Sequence, residues 1–406
     1  MIHELKEIYV CDNGWDLGSL MQDEYRVEDP VAVTPTLTVI DLEGSLYERL
    51  NNLYEVGRLG MINQLGIANC CSSLYRADSS RYMHSLIFAT KIDNIAQTFG
   101  FDRNQAVIAA MLHDVRTPPL SDSVAIPMGL NDQEHLEKIF DSNLELDRIF
   151  ADYSVSKKDI VRKIEGKDQS ALGQLISSKD SIDVDRWSYT IWDRFRLGFE
   201  PDQSLGQTLD PFKTMKIVDE KIVYTDLKMV HDFLEKRTDS FERAYKNSEL
   251  MAKEAFMGRI TEDLMKKKLM DDESIFKMVD YEFENLVRRK CGDLGRRMFS
   301  MGGFQSYGAT NADQREVEEY LGKLTNRPFA VKRQKPANPA TGTPILIDDD
   351  VKPFSELEPK YSEKLGRRMS AWNHTNIYGY SEDIKFGEVA KKAIEHFSSI
   401  AKLDSK

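Results

Sequence analysis

Three short stretches carry side chains able to do chemistry. In "AAMLHDVRTPPLSDS" an apolar run delivers His113 and Asp114 side by side to what reads as a helix end. His84 lies in "RYMHSLIF", and in "SIDVDRWSYTIWDRFRLG" Asp185, Tyr189 and Asp193 recur at i, i+4 and i+8, so they share one helical face. Imidazoles and carboxylates converging from separate helices are what a hydrolytic metal centre needs, with positions left open for water and substrate. Each stretch also has a plainer reading. A His-Asp pair after apolar residues commonly ends a helix, and Asp-x-Asp at a helix start commonly caps it and suits its dipole.

The elements that would position these groups are helical. In "RYMHSLIFATKIDNIAQTFGF" the residues Met83, Leu86, Ile87, Ile92, Ile95 and Phe99 form an apolar helical stripe. Asp102 followed by Gln105 reads as a capping box opening the next helix, which runs to His113. Antiparallel packing of these two consecutive helices would bring His84 toward His113. The three-and-four spacing continues from Leu46 to about Met301, where Gly302 and Gly303 break it. Beyond them, "RPFAVKRQKPANPATGTPILIDDD" reads as two short strands joined by a Pro-rich loop, and "FGEVAKKAIEHFSSIAKL" as a closing helix. The expected organisation is an irregular N-terminal segment (1–45) with a short strand or two, a helical core with its extension (46–300), and a small α+β C-terminal lobe (301–406). The fold class is mostly α.

Bulk properties narrow the function. The 406 residues can bury a substantial core, and 55 basic against 67 acidic residues give a net charge of −12. Non-specific attraction to nucleic acid or anionic membrane is therefore not indicated, leaving a local basic pocket as the route to either. Cys11, Cys70, Cys71 and Cys291 form no C-x-x-C spacing, and no apolar stretch is long enough to cross a bilayer. No signal-peptide pattern opens the chain. A cytoplasmic location is expected.

Taken in order, the motifs resemble those of the HD-domain phosphohydrolases, and within them the deoxynucleoside triphosphate triphosphohydrolases. The family's R-x-x-H-S-L box matches Arg81, Tyr82, Met83, His84, Ser85 and Leu86; its HD pair matches His113 and Asp114; its D-x-D-[KR]-x-x-Y-x-x-x-D stretch matches Asp183, Asp185, Arg186, Tyr189 and Asp193. The resemblance spans about Leu46 to Asn247. It implies an HD-domain helical core in which His84, His113, Asp114 and Asp185 ligate one divalent metal. Manganese, iron, magnesium or zinc would suit such a set, which does not choose among them. It also implies a dNTP-like nucleotide substrate, release of nucleoside and tripolyphosphate, and assembly as a homo-oligomer.

The same resemblance implies substrate contacts. Gln64 and Leu65, in "INQLG", match a segment that contacts the sugar and its 3′ hydroxyl. Arg81 and Arg186 match cations that hold phosphates, while Tyr189 and Asp193 match contacts to phosphate and sugar. "KRTDSFERAYKN" matches a segment placing Arg237 on a phosphate and Tyr245 near the base. Arg237, Phe241 and Tyr245 would share one helical face, projecting a cation and aromatic rings together.

One part of the pattern is altered. After the HD pair the family reads H-D-x-G-H-x-P-F-x-H; here Arg116 replaces the glycine, Thr117 the first histidine and Asp122 the second, and Ala125 stands where a further acid belongs. In "NDQEHLEKIF", Glu134 aligns with the acid of an H-E-x-x-S segment, Gln133 with its histidine, and His135 lies two positions on. The candidates for acid–base catalysis are therefore Thr117, Asp122, Glu134 and His135. Positioned acid–base groups supply about two to four orders of magnitude in rate. Three readings follow: a metal-dependent dNTP phosphohydrolase, a catalytically impaired nucleotide-binding or regulatory protein that keeps its metal site, and a phosphohydrolase acting on a different nucleotide or on nucleic acid.

Overall fold

The computed structural model describes residues 7–11, 37–41, 45–71, 74, 79–128, 132–200, 208–334, 336–371 and 373–404. The architecture is mostly helical, with small sheets. Strands Glu7–Cys11 and Leu37–Asp41 pair antiparallel, Glu7 opposite Asp41 and Cys11 opposite Leu37.

The helix Arg81–Phe99 starts where the Ser80 side chain accepts the Met83 N–H and ends at Gly100, whose φ of 71° lets the chain turn away. Its expected stripe packs inward: Leu86, Ile92 and Ile95 are buried, and Met83, Ile87 and Phe99 press against the same core. Each fully buried aliphatic side chain contributes about 1.5–3 kcal/mol. The next helix, Arg103–Leu112, opens with Asp102 accepting the Gln105 N–H at 3.0 Å. The Gln105 amide bonds the Asp102 carboxylate, so only one arm of the expected box forms. Ala106 to Leu112 are all buried, and this helix packs along Arg81–Phe99.

Two apolar cores flank the motif residues. One gathers the helices from Leu46 to Leu234, including Phe88, Ile108 and Trp187. The other surrounds the helix Ser248–Lys266, with Phe256 and Met257 meeting Leu120 and Val124. The segment after His113 crosses from the first core to the second.

Residues 301–406, expected as one lobe, divide between two places. Strands Phe304–Thr310, Thr375–Tyr380 and Ala330–Arg333 form an antiparallel sheet with Thr375–Tyr380 central, packed with the helices Gln314–Leu324 and Ile384–Asp404 around Val317, Leu321, Ile377 and Phe386. The hairpin Pro344–Ile347 and Asp350–Pro353 instead joins the hairpin Met215–Val218 and Lys221–Tyr224 through a parallel pairing of Tyr224 with Ile345. Ile345, Phe354 and Leu365 thereby enter the first core. The two strands expected around the Pro-rich loop exist, but in different sheets, because each finds its apolar partners on a different core. Among the described residues, no helix is long and apolar enough to cross a membrane.

Candidate metal centre and cleft

Three helices deliver the ligand candidates. His84 sits in the first turn of Arg81–Phe99, His113 caps the end of Arg103–Leu112, and Asp185 lies in the first turn of Val184–Arg196. That last helix is capped by Asp183, which accepts the Arg186 N–H at 2.7 Å. The two acids of Asp-x-Asp thus divide the two readings: one caps and the other faces the histidines. His84 Nε2 lies 2.9 Å from Asp185 Oδ1 and 3.2 Å from His113 Nε2, and His113 Nε2 lies 3.8 Å from Asp185 Oδ1. Asp114 Oδ2 is 3.4 Å from His113 Nε2 and 4.0 Å from His84 Nε2. The ligand atoms of His84, His113 and Asp185 all fall within 4.8 Å of one another.

The hydrogen bonds behind the imidazoles fix their orientation. His113 Nδ1 is 2.6 Å from the Ala110 carbonyl, which only accepts, so Nδ1 carries the proton and Nε2 offers its lone pair. Ser188 donates to the Asp185 carbonyl at 2.9 Å, which leaves its oxygen to accept from His84 Nδ1 at 3.4 Å. Both rings therefore aim Nε2 at one point, beside two carboxylates. A cation shared among these atoms fits that donor set, and a carbonyl or hydroxyl behind each histidine is the usual support for such a ligand.

The charges of the centre shift one another in both directions. Burial alone would raise the Asp114 carboxyl, but Arg81, His113 and His84 hold it well below the usual carboxylate range. Burial likewise opposes ionisation of Asp185, and His84 outweighs it and lowers the group. Burial depresses His113, whereas in His84 that same effect is overcome by Asp185 and the group is raised. Arg81 bridges the centre to its surroundings: it bonds Asp114 at 3.1 Å, Ser121 Oγ at 3.1 Å, and lies 3.6 Å from Asp122.

The altered loop is held from outside its own sequence. Arg58, 1% exposed, donates to the carbonyls of Val115 at 3.1 Å, Thr117 at 2.6 Å and Met278 at 2.8 Å. Asp280 accepts the Leu120 N–H at 2.7 Å and the Asn63 N–H at 2.8 Å, tying the loop to "INQLG". Leu120 and Ser121 adopt positive φ of 56° and 49°, a strained turn that these clamps over-determine. Gly66 also has positive φ, and a Cβ there would lie 2.3 Å from Ser123 Oγ and 2.4 Å from the Leu120 carbonyl, so this close approach needs glycine. No motif marks Arg58, Asp280 or Ser121. A buried arginine or aspartate looks like a surface one until its long-range partners are known.

Within the loop, the Thr117 hydroxyl faces Asp114 at 3.4 Å. Thr117 and Arg116 line a small cavity of about 260 Å³, which also meets His113, Asp122 and Asp185. Asp122 opens the helix Asp122–Met128 with its side chain 67% exposed, and borders both this cavity and a much larger cleft. Glu134 and His135 fall on the helix Asp132–Ser142, but their side chains lie outside the described part of the structure.

The cleft, of about 1660 Å³, brings together Gln64, Leu65, Arg81, His84, Asp114, Asp185, Tyr189, Asp193 and Tyr245. Tyr245 donates to Asp193 Oδ2 at 2.6 Å, while Asp193 Oδ1 and Gln64 Oε1 are buried acceptors with no protein partner. Burial pushes the Asp193 carboxyl up to about 6, against the lowering effect of the Tyr245 hydroxyl. Two expected contacts are not brought here. Arg186 turns away, donating to the carbonyls of Ser178 and Ser181 and pairing with Asp183, because its position one residue past Asp185 faces another side of the helix. Arg237 stands behind the cleft, donating to Tyr189 Oη at 2.9 Å and the Asn338 carbonyl at 2.6 Å. Phe241–Tyr245 forms a π-helical turn whose Phe241 and Tyr245 line the cleft; the Arg237 guanidinium lies 5.0 Å from the Phe241 ring centroid, so cation and aromatic rings adjoin as the spacing predicts, while Tyr189 and Asn338 take its N–H groups.

No family model matches the sequence. An uncharacterized protein, MJ1154, of Methanocaldococcus jannaschii is 21% identical over 375 residues, covering 86% of this chain and 76% of that protein. A hypothetical protein from Aquifex aeolicus of known crystal structure has a TM-score of 0.66 at 18% identity, over 88% of this chain and 96% of that one. A phosphohydrolase (BT4208) from Bacteroides thetaiotaomicron VPI-5482 has a TM-score of 0.65 at 15% identity, over 88% of this chain and 99% of that one. The chain shares its fold with these two structures over most of its length.

Proposed function

We propose that this protein is a metal-dependent phosphohydrolase acting on a nucleotide, with a dNTP as the first substrate to test. The observation that carries this reading is the convergence of His84, His113 and Asp185, with Asp114 and its partner Arg81 beside them, at a cleft that His84, Asp114, Asp185 and Arg81 line. The phosphohydrolase name of a structural neighbour points the same way.

His84, His113, Asp114 and Asp185 would hold one divalent ion, which when bound supplies charge neutralisation at phosphorus and a more acidic water. The chain's own residues supply the rest. Arg81 presents a buried cation to a phosphate oxygen. Gln64 Oε1 and Asp193 Oδ1, buried acceptors without protein partners, suit the hydroxyl donors of a sugar. Tyr189 and Tyr245, ring centroids 6.3 Å apart, form an aromatic wall beside them. Asp122 borders the reacting centre from the solvent side and is the carboxylate available to move a proton. In the reaction a water oxygen bonds to the α-phosphorus, the ester bond to the 5′ oxygen breaks, that oxygen takes a proton, and tripolyphosphate leaves.

A second reading, a nucleotide-binding protein with impaired turnover, is favoured by Thr117: where the family has a histidine, its hydroxyl faces Asp114. Incubating metal-loaded protein with each dNTP and resolving products by chromatography separates the two. Tripolyphosphate and nucleoside, lost in Asp185→Ala, support hydrolysis; saturable binding without products supports the second reading.

A further inference from the structure

Residues 336–343 lie between the strand Ala330–Arg333 of the small sheet and the strand Pro344–Ile347, which belongs to the sheet on the first core. They form a strap across the loop that precedes Asp183 and Asp185. Thr343 Oγ1 accepts the Ile182 N–H at 3.2 Å. A Cβ on Gly342 would lie 2.9 Å from the Asp180 carbonyl, so glycine is what lets strap and loop approach.

Asn338 fastens this strap. Its Oδ1 accepts the Ala340 N–H at 2.7 Å, which fixes a turn leading into Ala340, buried at a positive φ of 57°. Its Nδ2 donates at 2.9 Å to both the Lys179 carbonyl and Asp180 Oδ1. The amide can sit only this way round, because the Ala340 N–H only donates and the Lys179 carbonyl only accepts. One acceptor and two N–H groups in a single plane are what an amide offers, and all are used. The turn leaves the Asn338 backbone carbonyl facing Arg237, which donates to it at 2.6 Å.

Arg237 carries this contact to the cleft. It is buried, and the groups that hold it are neutral: the Asn338 carbonyl, the Tyr189 hydroxyl at 2.9 Å and the Phe241 ring. Because Arg237 Nε donates to Tyr189 Oη, that oxygen accepts on this side and the phenol's own proton points elsewhere. Among the described residues no acceptor takes that proton, and Tyr189 borders the cleft. A buried guanidinium donating to a phenol oxygen also polarises the remaining O–H into a stronger donor. The strap thus ends, two contacts on, at a hydroxyl aimed where a ligand would lie.

We propose that Asn338 is a positioning residue of the site: it sets Arg237, and through Arg237 it directs the Tyr189 hydroxyl as a donor into the cleft. That this donor meets a nucleotide rests on the functional reading above; the linkage from Asn338 through Arg237 to Tyr189 does not.

The test uses Asn338→Asp, which keeps the acceptor for the Ala340 N–H, withdraws both donors and sets a carboxylate against Asp180. Asn338→Asp/Asp180→Asn exchanges amide and carboxylate and restores a donor between the same two positions. Fluorine NMR of the full chain carrying 3-fluorotyrosine, with the Tyr189 signal assigned by its loss in Tyr189→Phe, reads the linkage without any ligand. The signal should move or broaden in Asn338→Asp and return toward its wild-type position in the exchanged pair. With metal-loaded protein and a dNTP, Asn338→Asp and Tyr189→Phe should each raise KM about tenfold and leave kcat within about twofold. Combined, they should raise KM no further than the larger single effect, because both remove the same donor. A fluorine response without any dNTP turnover leaves this inference standing and removes only the functional reading. A Tyr189 signal unmoved by Asn338→Asp, no recovery in the exchanged pair, or effects on KM that multiply in the combined variant would overturn it.

Discussion

The Nε2 atoms of His84 and His113 lie 3.2 Å apart, with each Nδ1 held from behind by an acceptor. Two lone pairs directed at one point repel unless a proton or a metal cation lies between them, and the carboxylates of Asp185 and Asp114 beside them favour the higher charge of a divalent ion. The protein should therefore take up one divalent ion per chain, and His113→Ala should lose it. Elemental analysis of the purified protein, with and without added metal, checks this. Binding that favours the folded state adds about 2.7 kcal/mol of stability at a hundredfold excess over Kd, so wild type should melt higher with metal and the variant should not respond.

Arg58 and Asp280 hold the loop that carries the centre. Arg58→Met leaves the buried carbonyls of Val115, Thr117 and Met278 without their donor, and should cost about 3 kcal/mol or more. Asp280→Asn turns an amide donor toward the N–H of Leu120 or Asn63 and should cost about 1–3 kcal/mol. Urea denaturation measures both, and a loss within about 0.5 kcal/mol of zero would contradict the clamp.

Asp193 makes stability depend on pH with a definite sign. Burial raises its carboxyl from 3.8 to about 6 in the fold. Between those values the folded chain binds more protons than the unfolded chain, so stability falls as pH rises from about 4 to 6 and levels off above. The full effect is up to about 3 kcal/mol. Denaturation of wild type and Asp193→Asn across this range should show the variant losing less as pH rises.

Asp122 is the exposed carboxylate at the centre. If it moves the proton, Asp122→Asn should lower turnover by about two to four orders of magnitude and leave metal content unchanged. Thr117→Val should change turnover far less. Equal losses in both variants would point to the shape of the loop in place of the Asp122 carboxylate.

What the sequence makes legible here is local. His113 and Asp114 are adjacent, and Asp185, Tyr189 and Asp193 keep one face of a single helix, so spacing alone predicts that they travel together. Arg186 shows the limit: it sits in the same motif, but one residue along a helix turns the side chain to another face, where Asp183 and two carbonyls take it. Arg237 lies over the Phe241 ring as the spacing predicts, but Tyr189 and the Asn338 carbonyl, distant in sequence, take its N–H groups and keep it out of the cleft lining. Arg58 and Asp280 act across long stretches of chain. The split of residues 301–406 depends on Tyr224 pairing with Ile345, a contact that no local pattern encodes.

The most direct measurement of the central claim is product analysis of each dNTP incubated with metal-loaded protein, with metal-free protein and with Asp185→Ala. The account predicts nucleoside and tripolyphosphate in equal amounts from the metal-loaded wild type and neither product from the other two. Products that form equally without metal, or that persist undiminished in Asp185→Ala, would contradict it.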